Sequence, residues 1–194
     1  SEVGNVKHLI GNPHVILEYG DVTDASSIET AVMRSQPHEV YHLAAQSHVR
    51  ISFDIPQSTL QINAMGTLNL LEALRKHAPY ARMYNAGTSE MFGNSIDPNA
   101  PQITVLDENA PMAPVSPYGT SKLAAYNFCR NYRESYEMFI ASGILFNHES
   151  PRRGENFVTA KIVKGACDIK NGVKDKLELG NLYAKRDWGH AKDY

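Results

Sequence analysis

Thr88, Tyr118 and Lys122 are the residues of this chain whose types and spacing point most directly to chemistry. Tyr118 and Lys122 stand four apart just behind Ser116-Pro117, where a helix is expected to open, so they share one face a turn apart. An ammonium beside a phenol favours the phenolate and lowers a tyrosine's pKa from its usual value of about 10. Bringing such a group near 7 takes roughly 4 kcal/mol, which a lysine and a second bound cation could share. Thr88 offers a hydroxyl able to hold a substrate oxygen. By spacing alone, Tyr-x-x-x-Lys equally suits a solvated i, i+4 pair, so its meaning rests on the elements that carry it.

Those elements are legible in the apolar pattern. His14–Tyr19, Glu39–Leu43 and Ala81–Ala86 are short and rich in β-branched or aromatic residues, and Met138–Phe146 is a longer, nearly continuous apolar run. Such runs are expected of parallel strands covered by helices on both faces. Between them Leu60, Ala64, Leu68, Leu71 and Leu74 recur at helical steps, with Glu72 one turn before Lys76. Asp24 or Ser26 is the expected N-cap of another helix that ends before Pro37. Ser116 as N-cap and Pro117 at the first helical position predict a helix running to about Tyr136, and a shorter one is expected near Ala160–Lys170. The alternation predicts an α/β fold with a doubly wound, Rossmann-like parallel sheet. Residues 94–117 interrupt it with five of the ten prolines, as a long and therefore functional or mobile loop.

In such sheets ligands bind beyond the carboxyl ends of the strands. The four expected exits read Gly20-Asp21, Leu43-Ala44-Ala45-Gln46-Ser47, Gly87-Thr88-Ser89-Glu90 and Asn147-His148-Glu149, and each carries small or polar residues. The remaining composition excludes other classes. The chain has 194 residues, is 42% hydrophobic and carries a formal charge of −2, so a core can form and no bulk positive field invites nucleic acid or an anionic membrane. No apolar run approaches the roughly 20 residues that span a bilayer. Two cysteines, Cys129 and Cys167, exclude a disulfide framework or a Cys-rich zinc site and suit a reducing, cytoplasmic setting. His38 and His42 flank a strand and His48 has no acidic cluster, so no metal site is expected.

Gly119 inside the Tyr118/Lys122 pair, Ser116-Pro117 before it and Thr88-Ser89-Glu90 upstream resemble the extended short-chain dehydrogenase/reductase family. In that family a Ser or Thr, a Tyr and a Lys act with NAD or NADP on nucleotide-activated sugars. Over Gln46–Asp54, Asn131–Tyr136, Gly143–Thr159 and Arg186–Tyr194 the likeness narrows to the GDP-mannose 4,6-dehydratases. The resemblance implies conversion of GDP-mannose to GDP-4-keto-6-deoxymannose, with Tyr118 taking the C4 hydroxyl proton as hydride passes to the cofactor. Glu90 would remove the C5 proton as general base and water would leave from C6 before the hydride returns there. A bound cationic nicotinamide would be the second cation beside Tyr118. Glu90 also suits a bland role, as a charge at a helix N-terminus.

By the same resemblance Asp21 and Val22 lie near the adenine, Leu43, Ala44, Ala45, Gln46 and Ser47 along the nicotinamide ribose, and Lys122, His148 and Arg153 further along the cofactor. Ser47, Ser89, Asn147, Lys161 and Arg186 would face the GDP-sugar, with Arg186 on a phosphate, because an arginine fork gives paired hydrogen bonds. Arg152 and Arg153 equally suit a solvated charge pair. Ser58 departs from the pattern, since a tyrosine is expected there. The expected division is a cofactor domain over 1–150 and part of a sugar-nucleotide region over 151–194. No Gly-x-Gly-x-x-Gly or Gly-x-x-Gly-x-x-Gly turn occurs in the sequence. The chain is therefore expected to be an internal fragment lacking the first strand–turn–helix and the C-terminal part. NADP is favoured over NAD, and a homo-oligomer, dimer or tetramer, is implied for the full-length protein. A non-catalytic fragment, or a related epimerase or reductase, stays open at this point.

Overall fold

A computed structural model describes residues 4–93, 106–180, 182–183 and 186–194. The chain divides into two compact units, Glu18–Leu145 and a smaller one joining Ser1–Leu17 to Phe146–Tyr194.

The larger unit is built on a three-stranded parallel sheet of β1 (Glu39–His42), β2 (Arg82–Ala86) and β3 (Ile140–Gly143), in that order. Met83 lies opposite Val40 on one side and Ile140 on the other. Its helices are α1 (Ala25–Ser35), α2 (Val49–Asp54), α3 (Pro56–Leu60), α4 (Gly66–His77) and α5 (Pro117–Tyr136). Val32, Leu71, Leu74, Met83, Cys129 and Ile140 form the core between α1, α4, α5 and the sheet. Each such aliphatic side chain contributes about 1.5–3 kcal/mol by leaving water. This parallel sheet with helical crossovers is the expected Rossmann-like α/β arrangement.

Four expectations are corrected. His14–Tyr19 forms no strand. A strand is held by its ladder, none of the described strands pairs with this run, and Ile16 and Tyr19 are exposed. The apolar run from Met138 makes a strand only over Ile140–Gly143, and Asn147–Glu149 is not a fourth exit of this sheet. It is β4, paired in parallel with β5 (Trp188–His190) in the smaller unit. The helical period from Leu60 to Leu74 is real but broken by a π turn at Gln61–Met65 between α3 and α4. Glu72 pairs with Arg75 rather than Lys76, because the guanidinium fork meets both carboxylate oxygens at 2.9 Å while Tyr132 of α5 donates to Oε1 at 2.6 Å.

The caps follow the sequence closely. Asp24 accepts from the Ser26 amide at the start of α1, and Ser116 from Gly119 at the start of α5, with Pro117 at its first position. The smaller unit also contains α6 (Val158–Lys170). Of the proline-rich stretch, residues 94–105 lie outside the described residues. Among the described residues no helix is long and apolar enough to cross a membrane.

Candidate active site

Strand β2 ends at Ala86, and its ladder is prolonged by bonds from the Gly87 amide to the Gly143 carbonyl at 2.8 Å and from the Ser89 amide to Leu145 at 2.9 Å. The chain then turns through a single 3-10 turn, Ser89–Met91, which Thr88 caps by accepting the Glu90 amide at 3.3 Å. A hydroxyl that accepts this bond keeps its own hydrogen for another acceptor. Thr88 is buried, and Ser89 and Glu90 are half-buried. One strand end thus presents a hydroxyl donor and a carboxylate.

Helix α5 brings the second half of the set. Tyr118, Gly119, Ser121 and Lys122 are buried. Lys122 Nζ donates to the Ala86 carbonyl at 2.9 Å, which fastens the Tyr118/Lys122 face of α5 to the strand that carries Thr88. Gly119 permits this closeness, since a Cβ there would stand 2.7 Å from the Glu90 carbonyl oxygen and 3.0 Å from Pro114 Cβ. The solvated-pair alternative is therefore excluded for Lys122, which is 6% exposed. Burial lowers its pKa from 10.5 to about 8, so the ammonium persists at neutral pH.

Beneath the site lies a polar network that sequence reasoning did not single out. His42 Nε2 sits 3.0 Å from Thr67 Oγ1, which itself donates to the Asn63 carbonyl, so Nε2 carries the proton. Burial first, and then Lys122, lower the His42 pKa to about 4 and keep it neutral. Asn63, in the π turn, accepts from the Gln46 amide at 2.9 Å and donates to the Gln46 carbonyl at 3.0 Å and to Ser121 Oγ at 2.9 Å. The loop after β1 is thereby held to α5. The available signal was an amide between Ile62 and Ala64 on the buried side of an apolar helix, where a polar group needs partners.

Of the residues expected along a cofactor, Leu43, Ala44, Ala45, Gln46 and Ser47 form the irregular segment after β1, with Leu43, Ala44 and Ser47 exposed. Asp21 is exposed, and its Oδ1 accepts both the amide and hydroxyl of Thr23 at 2.8 Å, bonds that lower its pKa. Val22 packs on Gly66, and its carbonyl accepts from Asn69. Ser58, on α3, is exposed.

Asn147, His148, Arg153, Lys161 and Arg186 belong to the smaller unit. Asn147 Nδ2 donates to the Asp187 carbonyl at 2.9 Å. Glu149 accepts a short hydrogen bond from Thr159 and pairs with Arg153 at 3.4 Å, while the Arg153 guanidinium lies 3.6 Å from the Phe157 ring centroid. Arg153 is thus engaged rather than one of a solvated pair; Arg152 is exposed. His148 Nδ1 faces the Phe146 carbonyl at 3.1 Å and so carries the proton, leaving Nε2 as a buried acceptor without a hydrogen-bond partner. Arg153 Nε is also buried without a hydrogen bond, although it is the atom that makes the 3.4 Å ion pair with Glu149. An acceptor for a ribose hydroxyl and a cationic donor for a phosphate are the chemistry a dinucleotide requires, so these residues fit one. Lys161 and Arg186 are exposed. Among the described residues no group of three or more His, Cys, Asp or Glu side chains could hold a metal ion.

The family model described as GDP-mannose 4,6 dehydratase matches residues 1–194. A GDP-mannose 4,6-dehydratase of Vibrio cholerae is 48% identical over 97% of this chain and 51% of its own length. One of Yersinia enterocolitica is 51% identical over 94% of this chain and 48% of its own. Among solved structures, RMD from Pseudomonas aeruginosa complexed with NADPH superposes with a TM-score of 0.82 at 28% identity, covering 92% of this chain and 60% of that one. The chain spans about half the length of the curated relatives it matches.

Proposed function

The chain belongs to the GDP-mannose 4,6-dehydratase family, and from that premise we propose that it carries the catalytic centre of an enzyme converting GDP-mannose to GDP-4-keto-6-deoxymannose. The observation that carries this reading is the Lys122–Ala86 bond, which joins the Tyr118/Lys122 helix to the strand end bearing Thr88 and Glu90. Thr88 donates to the C4 oxygen of the sugar. Tyr118, as phenolate, takes the C4 hydroxyl proton, and Lys122 stabilises the phenolate by its charge. NADP, when bound, supplies the chemistry of accepting a hydride and giving it back. Glu90 takes the C5 proton, made acidic by the C4 ketone, and passes it to the C6 hydroxyl, which leaves as water. Tyr118 then returns its proton to C5.

Residues 43–47 after β1, with Asp21 and Val22, line the dinucleotide in this reading, and His148 and Arg153 meet its ribose and diphosphate. Ser47, Ser89, Asn147, Lys161 and Arg186 face the GDP-sugar. The NADPH in the RMD structure supports NADP over NAD. Two cysteines outside any disulfide suit the cytosol, and a homo-oligomer of the longer protein belongs to the same reading.

The test is product mass after incubation with GDP-mannose and NADP. Loss of one water from wild type, and its absence in Glu90→Gln with C4 oxidation retained, is the expected pair. Product unchanged in Glu90→Gln would remove Glu90 from the mechanism. Intact GDP-mannose with wild type would assign these 194 residues a non-catalytic role on their own.

A further inference from the structure

The first turn of α5 has two amides without an intrahelical acceptor to settle, those of Tyr118 and Gly119, because Pro117 has none and the Thr120 amide reaches the Ser116 carbonyl at 2.9 Å. Gly119 is served locally by Ser116 Oγ. Tyr118 is served from 66 residues away: its amide donates to Ser52 Oγ at 3.1 Å. Ser52 is completely buried in the middle of α2, and its own hydroxyl donates to the Val49 carbonyl at 2.6 Å, which orients the oxygen's lone pairs. Helix α2 continues directly from the loop after β1. His48 caps it by accepting the Ile51 amide, and Gln46 Oε1 and Nε2 bracket the His48 backbone at 3.1 Å each.

We propose that Ser52 is a positioning residue for the reaction, fixing the main chain that carries the Tyr118 phenol to the segment Gln46–His48 through helix α2. The proposal rests on the dehydratase reading for its catalytic consequence and on the Ser52–Tyr118 bond for its structural one. A hydroxyl there does what a second capping residue does, but from a different element, so the phenol and the loop after β1 hold one relative position. Removing the oxygen leaves a buried amide without a partner and lets the first turn of α5 shift. A displacement of a reacting group by about 1 Å is enough to lower turnover as much as 100-fold.

The experiment compares wild type, Ser52→Ala and Ser52→Cys, which keeps the volume and a weak acceptor. Hydrogen exchange at the Tyr118 amide is read beside turnover, KM and thermal melting. In Ser52→Ala the Tyr118 amide is expected to exchange at least about 10-fold faster while Gly119 stays protected, with Ser52→Cys between; this scale follows from losing one buried hydrogen bond. Turnover is expected to fall roughly 10- to 100-fold with KM nearly unchanged. Unchanged exchange at Tyr118 in either variant overturns the proposal. So does accelerated exchange with wild-type turnover, or a lower melting temperature with kcat and KM both intact. Should wild type show no dehydration, the dehydratase reading fails by itself, and the exchange at Tyr118 still decides whether Ser52 holds that amide.

Discussion

Lys122→Met separates the cost of the buried ammonium from its use. In the native protein burial brings the lysine from 10.5 to about 8, a displacement worth roughly 3 kcal/mol at 1.36 kcal/mol for each pKa step. The folded state therefore binds fewer protons than the unfolded chain between pH 8 and 10.5, and stability must rise with pH across that window. Below pH 8 the penalty is present in full. Methionine fills similar space without charge, removing that penalty and also the bond to Ala86, worth about 1.5–3 kcal/mol with a charged donor. The variant should therefore be more stable at pH 7 by about 1 kcal/mol, while under the proposed function its turnover disappears. Urea unfolding of both proteins from pH 7 to 10.5 reads the lysine together with the groups coupled to it, Cys129 among them, since the uncoupled groups cancel in the difference. Wild type should gain on the variant by up to about 1.4 kcal/mol for each pH step above 8, approaching 3 kcal/mol in total. A difference that stays constant to within about 0.5 kcal/mol over this range would refute the assignment of Lys122 as a desolvated cation.

His42→Leu should flatten the acid side of the stability profile. Wild type is expected to lose about 3 kcal/mol as pH falls from 6.5 to 4, because the buried ring resists protonation, and denaturant melts across that range check it. Gly119→Ala places a methyl 2.7 Å from the Glu90 carbonyl oxygen, so it should destabilise by about 1–3 kcal/mol in spite of alanine's helix preference, and lower turnover more than affinity. Tyr132→Phe removes the phenol bond to Glu72, whose carboxyl is held at about 2 by Arg75 and Tyr132. A loss of about 1 kcal/mol at pH 7, shrinking as pH falls below 4.5 toward 2, is the expected calorimetric result for this half-exposed group.

The local sequence was sufficient wherever the physics is local. Ser116-Pro117 specified the start of α5 to the residue, the choice of Asp24 or Ser26 bracketed that of α1, and the four-residue step from Tyr118 to Lys122 gave their common helix. Thr88-Ser89-Glu90 at a strand exit located the candidate site, because parallel sheets present their ligands there. His14–Tyr19 reads as a strand and is not one, since β structure requires a hydrogen-bonding neighbour that no window of sequence contains. The same non-locality hid Ser52 and Asn63, whose partners lie 66 and 58 residues away. Glu72 shows the competition directly: the i, i+4 partner Lys76 was available, but the carboxylate went to the guanidinium fork and to a phenol on another helix. The amino acids by themselves pointed to the candidate groups and put Tyr118 and Lys122 on one helix and Thr88 at a strand exit. Only the tertiary structure decided that Lys122 is buried against Ala86, that His42 is neutral, and which distant hydroxyl holds the Tyr118 amide, because burial and long-range hydrogen bonds exist only once the elements have packed.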